Sequence, residues 1–306
     1  MARDVFVAGG IGVDHIVRVG QLPLPARDSV VVPPIHTYVA HPGNGVALGC
    51  AAMGLRTAIL EVIGDDAEGD LVRRRYAASP VELIADVHES GTRRSVNLVA
   101  EDGARLSFYD PRHPNEYVPP GELWAAEVRE ARLVHASIVN WARHPLRDAV
   151  AAGTLTSTDL QDWDGENEHH REFALTADLV FLSSAHLADH PDDAAGGAAD
   201  AAAHAIFADG RARVVVITHG ARGSTIYPRG EAPVRVPPVT FPDRPVVDSN
   251  GAGDSYAAAF LARLLAGDGY AAAGRAGSIA GAWAAGSAGT HTAFLTPELL
   301  ASIGAG

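Results

Sequence analysis

The chain contains no lysine, so all 24 of its basic side chains are arginines, and they stand against 37 acidic ones. The absence of lysine excludes a Walker A phosphate loop, the strand lysine of protein kinases and Schiff-base chemistry, because each depends on a lysine amine. If the protein transfers phosphate, backbone amides, arginine and metal ions must hold the phosphate groups. The net charge of −13 argues against nucleic acid or an anionic membrane as a partner.

Cysteine and long apolar runs are also scarce. The single Cys50 excludes an internal disulfide and favours a reducing compartment. We expect no signal peptide, because the apolar residues 5–13 are few, are interrupted by glycine and follow Arg3 and Asp4. No apolar run approaches the ~18 residues that a membrane span requires. We therefore expect a cytoplasmic protein without a membrane partner, and its 306 residues suffice for one large α/β domain.

The most informative stretch is residues 248–265, DSNGAGDSYAAAFLARLL. Its second half predicts a helix, because one apolar face recurs at helical spacing, formed by Tyr256, Ala259, Phe260 and Leu264. Gly251 and Gly253 can adopt backbone angles that are closed to other residues. Gly251, Ala252 and Gly253 are therefore predicted to form a tight loop whose amides face outward at a helix N-terminus, where anions are attracted.

Asp254 follows directly after this predicted anion site. A carboxylate repels phosphate, so Asp254 is unsuited to bind it. It is suited to take a proton from a hydroxyl while the loop amides stabilise the charge of a transferring group. The alternative is a plain capping loop, since aspartate and glycine are both common at helix starts.

Residues 248–261 resemble the C-terminal signature of the pfkB family of carbohydrate kinases, which have the ribokinase-like fold. The resemblance implies a three-layer α/β/α sandwich with a mostly parallel central sheet and a small β-lid, and it covers residues 1–306 as a single kinase domain. It also implies ATP- and Mg²⁺-dependent phosphorylation of an alcohol group on a small sugar or sugar-like substrate. In that reaction Asp254 is the base, and the amides of Gly251, Ala252 and Gly253 form the anion hole.

Residues 5–14 predict a buried strand that leads through glycines to Asp14. The sequence Gly-Ile-Gly within it fails as a dinucleotide fingerprint, because His15 stands at the third glycine position and no helical pattern follows. The stretch resembles the N-terminal strand of the pfkB family, which implies that Asp14 binds substrate hydroxyls. The alternative is a turn aspartate that bonds its own backbone.

Two β-rich segments, residues 15–39 and 92–109, interrupt the α/β pattern. The first contains the β-branched runs 16–19 and 30–32, and the second alternates around Asp102-Gly103, which is a hairpin signal. In the family such insertions form the lid over the substrate and often pair between subunits, which implies a homodimer through the lid. The alternative is a pair of ordinary surface hairpins.

The resemblance weakens on the substrate side. Relatives usually carry a glycine pair and a sugar-binding asparagine where this chain reads Ala-His-Pro-Gly43-Asn44-Gly, so Gly43 and Asn44 are the substitutes, with Asn44 displaced by one residue. Aromatic residues in or beside the lid could stack on a base, and these are Tyr38, Phe108 and Tyr109. A nucleoside kinase on the same fold therefore remains an alternative substrate class.

The family's magnesium motif, Asn-x-x-Glu, has no acidic counterpart after the strand at 178–182, where Ser183 and Ser184 stand. We assign no metal ligands, because Mg²⁺ chelated by ATP can be held by phosphates and water. The missing glutamate also motivates an alternative of another class, a catalytically weak regulatory protein that binds nucleotide or sugar. His169 and His170 suggest a metal site only weakly, since no third ligand accompanies them and they are predicted to lie on a solvated loop.

The strand at 214–217 leads into Thr218-His-Gly220-Ala-Arg-Gly223, where glycines allow a close approach to an anion. This segment resembles the family's nucleotide contact, which implies that Thr218, Gly220 and Gly223 bind ATP together with Ser249 of the signature.

Two further site predictions concern a cation and a second carboxylate. The resemblance implies a monovalent cation held near Asp248 and Asn250 by the loop at 286–292. Asp159 is a second site candidate, because it ends a predicted strand at the sheet edge where ligands bind.

Overall fold

The computed structural model describes residues 3–187 and 197–304. Its strands are β1 (Val5–Ala8), β2 (Gly12–Val19), β3 (His36–Ala40), β4 (Thr57–Ile63), β5 (Glu82–Val87), β6 (Arg94–Ala100), β7 (Arg105–Asp110), β8 (Leu133–Ser137), β9 (Leu155–Asp159), β10 (Leu179–Ser183), β11 (Val214–Thr218), β12 (Ser224–Pro228) and β13 (Val234–Val236).

Its helices are α1 (Pro42–Ala52), α2 (Ala67–Ala77), α3 (Glu127–Glu130), α4 (Arg143–Ala152), α5 (Glu168–Thr176), α6 (Gly197–Asp209), α7 (Ala252–Leu265), α8 (Tyr270–Ala285) and α9 (Pro297–Gly304). Short 3₁₀ turns occupy residues 121–123, 140–142, 184–186 and 220–222. None of the described helices is both long and apolar enough to cross a membrane.

The large sheet has the strand order β13-β12-β11-β10-β9-β8-β1-β4-β5. The strands from β11 to β5 are parallel, and only β12 and β13 at one edge are antiparallel. A parallel sheet of this kind must be covered on both faces. Because these strands are parallel, their carboxyl ends lie along one edge of the sheet, which is where ligands bind in open α/β folds.

The alternation of side chains along each strand divides the core into two layers. Phe6 and Ala8 of β1 pack on one face with residues of α4, α5 and α6, whereas Val5 and Val7 pack on the other face with residues of α1, α2, α7 and α8. This arrangement confirms the predicted three-layer sandwich with a mostly parallel sheet. The predicted helix of the signature is α7, whose residues from Ser255 to Ala262 are buried.

A second, four-stranded sheet has the order β3-β2-β6-β7. Its strands come from the two segments predicted to form a lid, and β6 and β7 form the predicted hairpin, with Gly103 at a φ of 87° in the turn. The run 30–32 is not a strand, although it is β-branched: Val31 is 98% exposed, and the strand beside β2 is β3 instead. A β-branched run without a backbone partner does not make a strand.

The segment at 162–170 also differs from its prediction. Only its first part is a loop, because Asn167 caps the start of α5 and places both His169 and His170 in the first helical turn. Residues 192–208 are rich in alanine, a composition that favours a helix, and α6 occupies Gly197–Asp209, while residues 192–196 lie outside the described residues.

Candidate active site

The N-terminus of α7 lies at the end of the loop predicted to bind anions. Gly251 caps the helix at a φ of 76°, in the left-handed region that favours glycine. A Cβ atom added to Gly253 would have no heavy atom within 4 Å, so this residue faces open space. The Ala252 amide lies 3.3 Å from the Ser249 carbonyl oxygen, which is a long and weak contact that an anion can replace. The loop therefore offers a helix N-terminus to a ligand, as the sequence predicts.

Asp254 lies in the first turn of α7, with its side chain 14% exposed. Its Oδ2 atom lies 2.7 Å from Nε2 of His291, whose side chain is 1% exposed. In the part of the chain that the structure describes, Oδ1 accepts no side-chain hydrogen bond. His291 was not predicted as a site residue, because its only signal in the sequence is a lone histidine in a loop of glycine, serine and threonine.

Asp159 joins Asp254 at the same sheet edge. It ends β9 and is buried, and its Oδ1 accepts a hydrogen bond of 2.7 Å from the Gln161 amide. Burial, and secondly the charge of Asp254, raise the pKa of Asp159 to about 7. A carboxyl group whose pKa is strongly raised by burial and a neighbouring charge is typical of functional sites.

Asp14 lies on β2 of the four-stranded sheet and also pairs with a histidine. Its Oδ1 atom is 3.1 Å from Nε2 of His41, the residue that precedes α1. The same nitrogen lies 3.3 Å from Oγ of Ser95 on β6, and the imidazole lies 5.9 Å from the Tyr109 ring on β7. A Cβ at Gly12 would come within 2.2 Å of the imidazole, so only glycine leaves room for it. His41 is a second residue of the candidate site that was not predicted from the sequence.

Gly43 and Asn44 lie in the first turn of α1, shortly after His41, and both are buried. A Cβ at Gly43 would come within 1.9 Å of the Gly9 carbonyl oxygen, so the glycine allows α1 to approach β1 closely. Asn44 is fully buried, and its amide contacts Val39, Tyr76 and His291. The Asn44 side chain therefore contacts His291, the partner of Asp254, and none of its surface is exposed.

Three of the four residues predicted to contact nucleotide lie near the end of β11, and the fourth, Ser249, lies in the loop before α7. Thr218 is its last residue, and Gly220 lies in the following turn at a φ of 56° and is exposed. Gly223 is buried at a φ of 91°, and a Cβ there would come within 2.2 Å of the Val236 carbonyl oxygen. Packing alone thus explains Gly223, whereas Thr218 and Gly220 lie at the same sheet edge as Asp159.

The four-stranded sheet β3-β2-β6-β7, here called the lid sheet, contacts the signature loop at residues 248–251 through two arginines. Nη2 of Arg18 on β2 lies 3.2 Å from Oδ2 of Asp248, and Arg105 on β7 donates to Asn250 and, at 3.4 Å, to Oγ of Ser249. In a chain without lysine, these contacts bring positive charge to the loop where an anion would bind.

Comparison with known proteins is consistent with this geometry. A model of the pfkB family of carbohydrate kinases matches residues 29–297. The chain is 43% identical over 282 residues to acarbose 7(IV)-phosphotransferase of Actinoplanes sp., covering 92% of this chain and 91% of that protein. It is 29% identical over 265 residues to 5-dehydro-2-deoxygluconokinase of Shouchella clausii, covering 79% of this chain and 78% of that one.

Solved structures show the same relationship. The microbiome-derived acarbose kinase Mak1 superposes with a TM-score of 0.90 at 51% identity, covering 100% of both chains. Ribokinase of Arabidopsis thaliana, complexed with ribose and ATP, superposes with a TM-score of 0.78 at 18% identity, covering 99% of both chains. At that identity the ribokinase shows the fold alone.

Proposed function

Because the chain belongs to the pfkB family of carbohydrate kinases, we propose that it transfers the γ-phosphoryl group of ATP to a hydroxyl of acarbose or a closely related sugar. The family relationship makes the protein a phosphotransferase that acts on a sugar hydroxyl and implies ATP as the donor. The choice of acarbose rests on one observation, which is that two proteins named for that substrate match over nine tenths or more of the chain, at 43% and 51% identity.

In the proposed reaction Asp254 takes the proton of the acceptor hydroxyl, whose oxygen forms a bond to the γ-phosphorus as the bond from that phosphorus to the bridging oxygen of ADP breaks. Oδ1 of Asp254 is the oxygen suited to this role, since Oδ2 is engaged by His291. The amides of Gly251, Ala252 and Gly253 stabilise the charge on the transferring group, supported by the left-handed cap and the open space at Gly253.

Acceptor binding is assigned to Asp14, with His41 holding its carboxylate. A carboxylate accepts hydrogen bonds from sugar hydroxyls, and such charge-assisted bonds are the stronger kind. Gly43 and Asn44 act one layer further back, since both are buried and packed against protein atoms. The nucleoside alternative receives no support beyond fold likeness, because the chain is only 20% identical to the archaeal nucleoside kinase structure.

For the nucleotide side, we propose that Thr218, Gly220 and Ser249 contact ATP, with Gly223 shaping the turn. Among the described residues no group of three or more His, Cys, Asp or Glu side chains is arranged to hold a metal ion. Mg²⁺ is therefore proposed to enter with ATP and to be held by phosphate oxygens and water, which it retains by preference. The predicted monovalent-cation site is less well supported, because Arg18 already pairs with Asp248.

The proposed homodimer would use the outer face of the lid. Val96 and Phe108 are opposite each other on β6 and β7 and are 38% and 58% exposed, and Leu106 on the same face is 47% exposed. Their neighbours Ser95 and Tyr109 point to the opposite face, toward His41. An exposed apolar sheet face of this kind is typical of an interaction surface. We propose a cytoplasmic location, consistent with a single, buried and free Cys50.

The test is ADP release from Mg-ATP over a panel of acceptors: acarbose, ribose, 5-dehydro-2-deoxygluconate, ribose 1-phosphate and adenosine. We expect acarbose to give the highest kcat/KM, with a phosphate monoester detected on the sugar by ³¹P NMR. A higher kcat/KM with any other acceptor would overturn the proposed substrate. No transfer to any acceptor, with ATP bound, would revive the binding-protein alternative.

A further inference from the structure

The side chain that contacts Asp254 comes from a loop 37 residues further along the chain. His291 lies between α8 and α9, and its imidazole is almost completely enclosed. Its Nε2 atom contacts Oδ2 of Asp254 at 2.7 Å, and its Nδ1 atom contacts Nδ2 of Asn44 at 2.9 Å. Both ring nitrogens are thus engaged, one by the carboxylate and one by an amide.

These contacts determine which ring nitrogen carries the proton. The Val39 carbonyl oxygen can only accept a hydrogen bond, so the group 3.1 Å from it must be the NH₂ group of Asn44. The second hydrogen of that NH₂ group then faces Nδ1 of His291, which must be an unprotonated acceptor. The ring hydrogen consequently lies on Nε2 and is donated to Asp254.

Tyr76 completes this series of hydrogen bonds, because it contacts the oxygen of the Asn44 amide. Its hydroxyl donates to Oδ1 of Asn44 at 3.1 Å. Burial, together with the charge of Glu61, raises the pKa of Tyr76, so the hydroxyl keeps its proton and remains a donor. Turning the Asn44 amide over would place its NH₂ group against this donor and its oxygen against the Val39 carbonyl, so the observed orientation is the one that satisfies every partner.

The space for the imidazole is built into the surrounding backbone. A Cβ at Gly45 would lie 2.2 Å from Nε2 of His291, and a Cβ at Gly251 would lie 2.6 Å from its Cδ2. His291 itself has a φ of 56°, a conformation that costs energy in a residue with a side chain and persists where its surroundings hold it. Nη2 of Arg75 donates to its carbonyl oxygen at 3.0 Å, and the Phe294 ring stacks on the imidazole at 6.2 Å.

We propose that His291 is a positioning residue, which holds Asp254 by a single Nε2–H···Oδ2 hydrogen bond and keeps Oδ1 directed at the acceptor hydroxyl. The inference rests on the proposed function, in which Asp254 is the base. His291 holds the carboxylate but does not relay its proton, since Nε2 already carries a hydrogen and Nδ1 is blocked by an N–H of Asn44. Misplacement of a reacting group by about 1 Å can cost ~10²-fold in rate, which is the size of effect such a contact can protect.

The kinetic experiment compares His291→Gln with His291→Leu. Glutamine retains a donor and an acceptor, whereas leucine has neither. We expect kcat to fall roughly 30- to 100-fold in the leucine variant and by less than about 5-fold in the glutamine variant, with both KM values within about 3-fold of wild type. The matched control is His135→Leu, which removes another fully buried histidine, bonded to Ser157, from the sheet core. This control is expected to lower stability and leave kcat unchanged.

A cavity variant separates positioning from general packing. His291→Gly removes the imidazole and the cost of the left-handed backbone together, and free imidazole should restore kcat at least about 5-fold at saturation. Equal kcat losses in the glutamine and leucine variants, or a loss confined to KM, would overturn the proposal. So would a glycine variant that folds, lacks activity and does not respond to imidazole.

A spectroscopic measurement keeps this proposal distinct from the proposed function. In protein labelled with ¹⁵N-histidine, long-range ¹H–¹⁵N correlations should show one histidine, absent from His291→Gln, as the neutral tautomer with its hydrogen on Nε2. Its Nε2 shift should move in Asp254→Asn. A hydrogen on Nδ1, or on both nitrogens, would overturn the proposal even if no acceptor were found. Failure of every acceptor, with the Nε2–H tautomer observed, would count against the proposed function alone.

Discussion

Two histidine–aspartate pairs, one built on α7 and the other on β2, differ in the length of their contacts and in the burial of the histidine. His291 and Asp254 are 2.7 Å apart, and the imidazole is 1% exposed. His41 and Asp14 are 3.1 Å apart, and both side chains keep more than a tenth of their surface exposed. Both histidines have left-handed backbones, with φ values of 56° and 72°.

The difference lies in what surrounds each imidazole. His291 has a separate partner for each ring nitrogen, Asp254 and Asn44, and the fully buried Asn44 is held in turn by the Val39 carbonyl and by Tyr76 of α2. His41 shares one nitrogen between Asp14 and a serine of the lid sheet. The proposed base Asp254 must hold one geometry, whereas the proposed substrate carboxylate Asp14 contacts a histidine that also contacts Ser95 on β6. We call His291 with Asp254, where the histidine is enclosed, the rigid pair, and His41 with Asp14, where the histidine is 12% exposed, the adaptable pair.

The largest expected effect follows from replacing Asp254, the proposed base, in the rigid pair. Asp254→Asn keeps the shape and an oxygen that can accept from His291, but it removes the proton acceptor. We expect kcat to fall ~10²–10⁴-fold while nucleotide binding remains. Single-turnover ADP formation and a nucleotide titration would measure the two quantities. Turnover like that of wild type would remove Asp254 from its role and leave the rigid pair without a catalytic purpose.

A second prediction concerns Asp159, the carboxyl group beside the rigid pair. Its pKa is raised from 3.8 to about 7 in the folded protein, mainly by burial, so the native state holds a proton that the unfolded chain loses. Its contribution to stability therefore falls as the pH rises from about 4 to about 7, by at most roughly 4 kcal/mol. Asp159→Asn should abolish this contribution, so that its stability relative to wild type increases between pH 5 and pH 8.

Urea denaturation at both pH values would measure this change. The control is Asp164→Asn, in which the wild-type carboxyl pKa is lowered by the Glu166 and Asn167 amides and does not titrate in this range. A stability difference between wild type and Asp159→Asn that stayed constant from pH 5 to pH 8 would contradict a raised pKa at Asp159.

The smallest effects are expected in the adaptable pair. Asp14→Asn should lower kcat/KM for the acceptor ~10–100-fold, mostly through KM, because it removes a charged hydrogen-bond acceptor. His41→Gln should lower it only ~3–10-fold, and the double variant should lose less than the product of the two. Steady-state kinetics on the four proteins would measure the coupling. A loss in His41→Gln that fell on kcat alone would erase the contrast with His291.

Much of the architecture could be predicted from local pattern. The apolar face of α7, the Asp-Gly turn of the β6–β7 hairpin and the buried run of β11 each have a signal within a few residues. The run 30–32 was predicted wrongly as β-rich structure, because propensity acts only where a neighbouring strand supplies hydrogen bonds. The position of Asp254 beside an open helix N-terminus was predicted from its spacing alone.

His41 and His291 could not be predicted in this way. Neither forms part of a periodic pattern, and the contact between His291 and Asn44 spans 247 residues of sequence. Asn44 was predicted to face the substrate because the family's asparagine does so. In the structure Asn44 instead belongs to a buried series of hydrogen bonds with Tyr76 of α2 and with His291 in the loop between α8 and α9. Only the folded arrangement of these elements reveals it.

By itself, the sequence determined the alternation that builds the sandwich, the glycines that open the anion loop and the reliance on arginine in a chain without lysine. Each of these is a property of neighbouring residues or of composition. The tertiary structure alone decided the two histidine–aspartate pairs and the raised pKa of Asp159. Hydrogen bonds and charge interactions act over a few ångströms, and only folding brings residues so far apart in sequence within that distance.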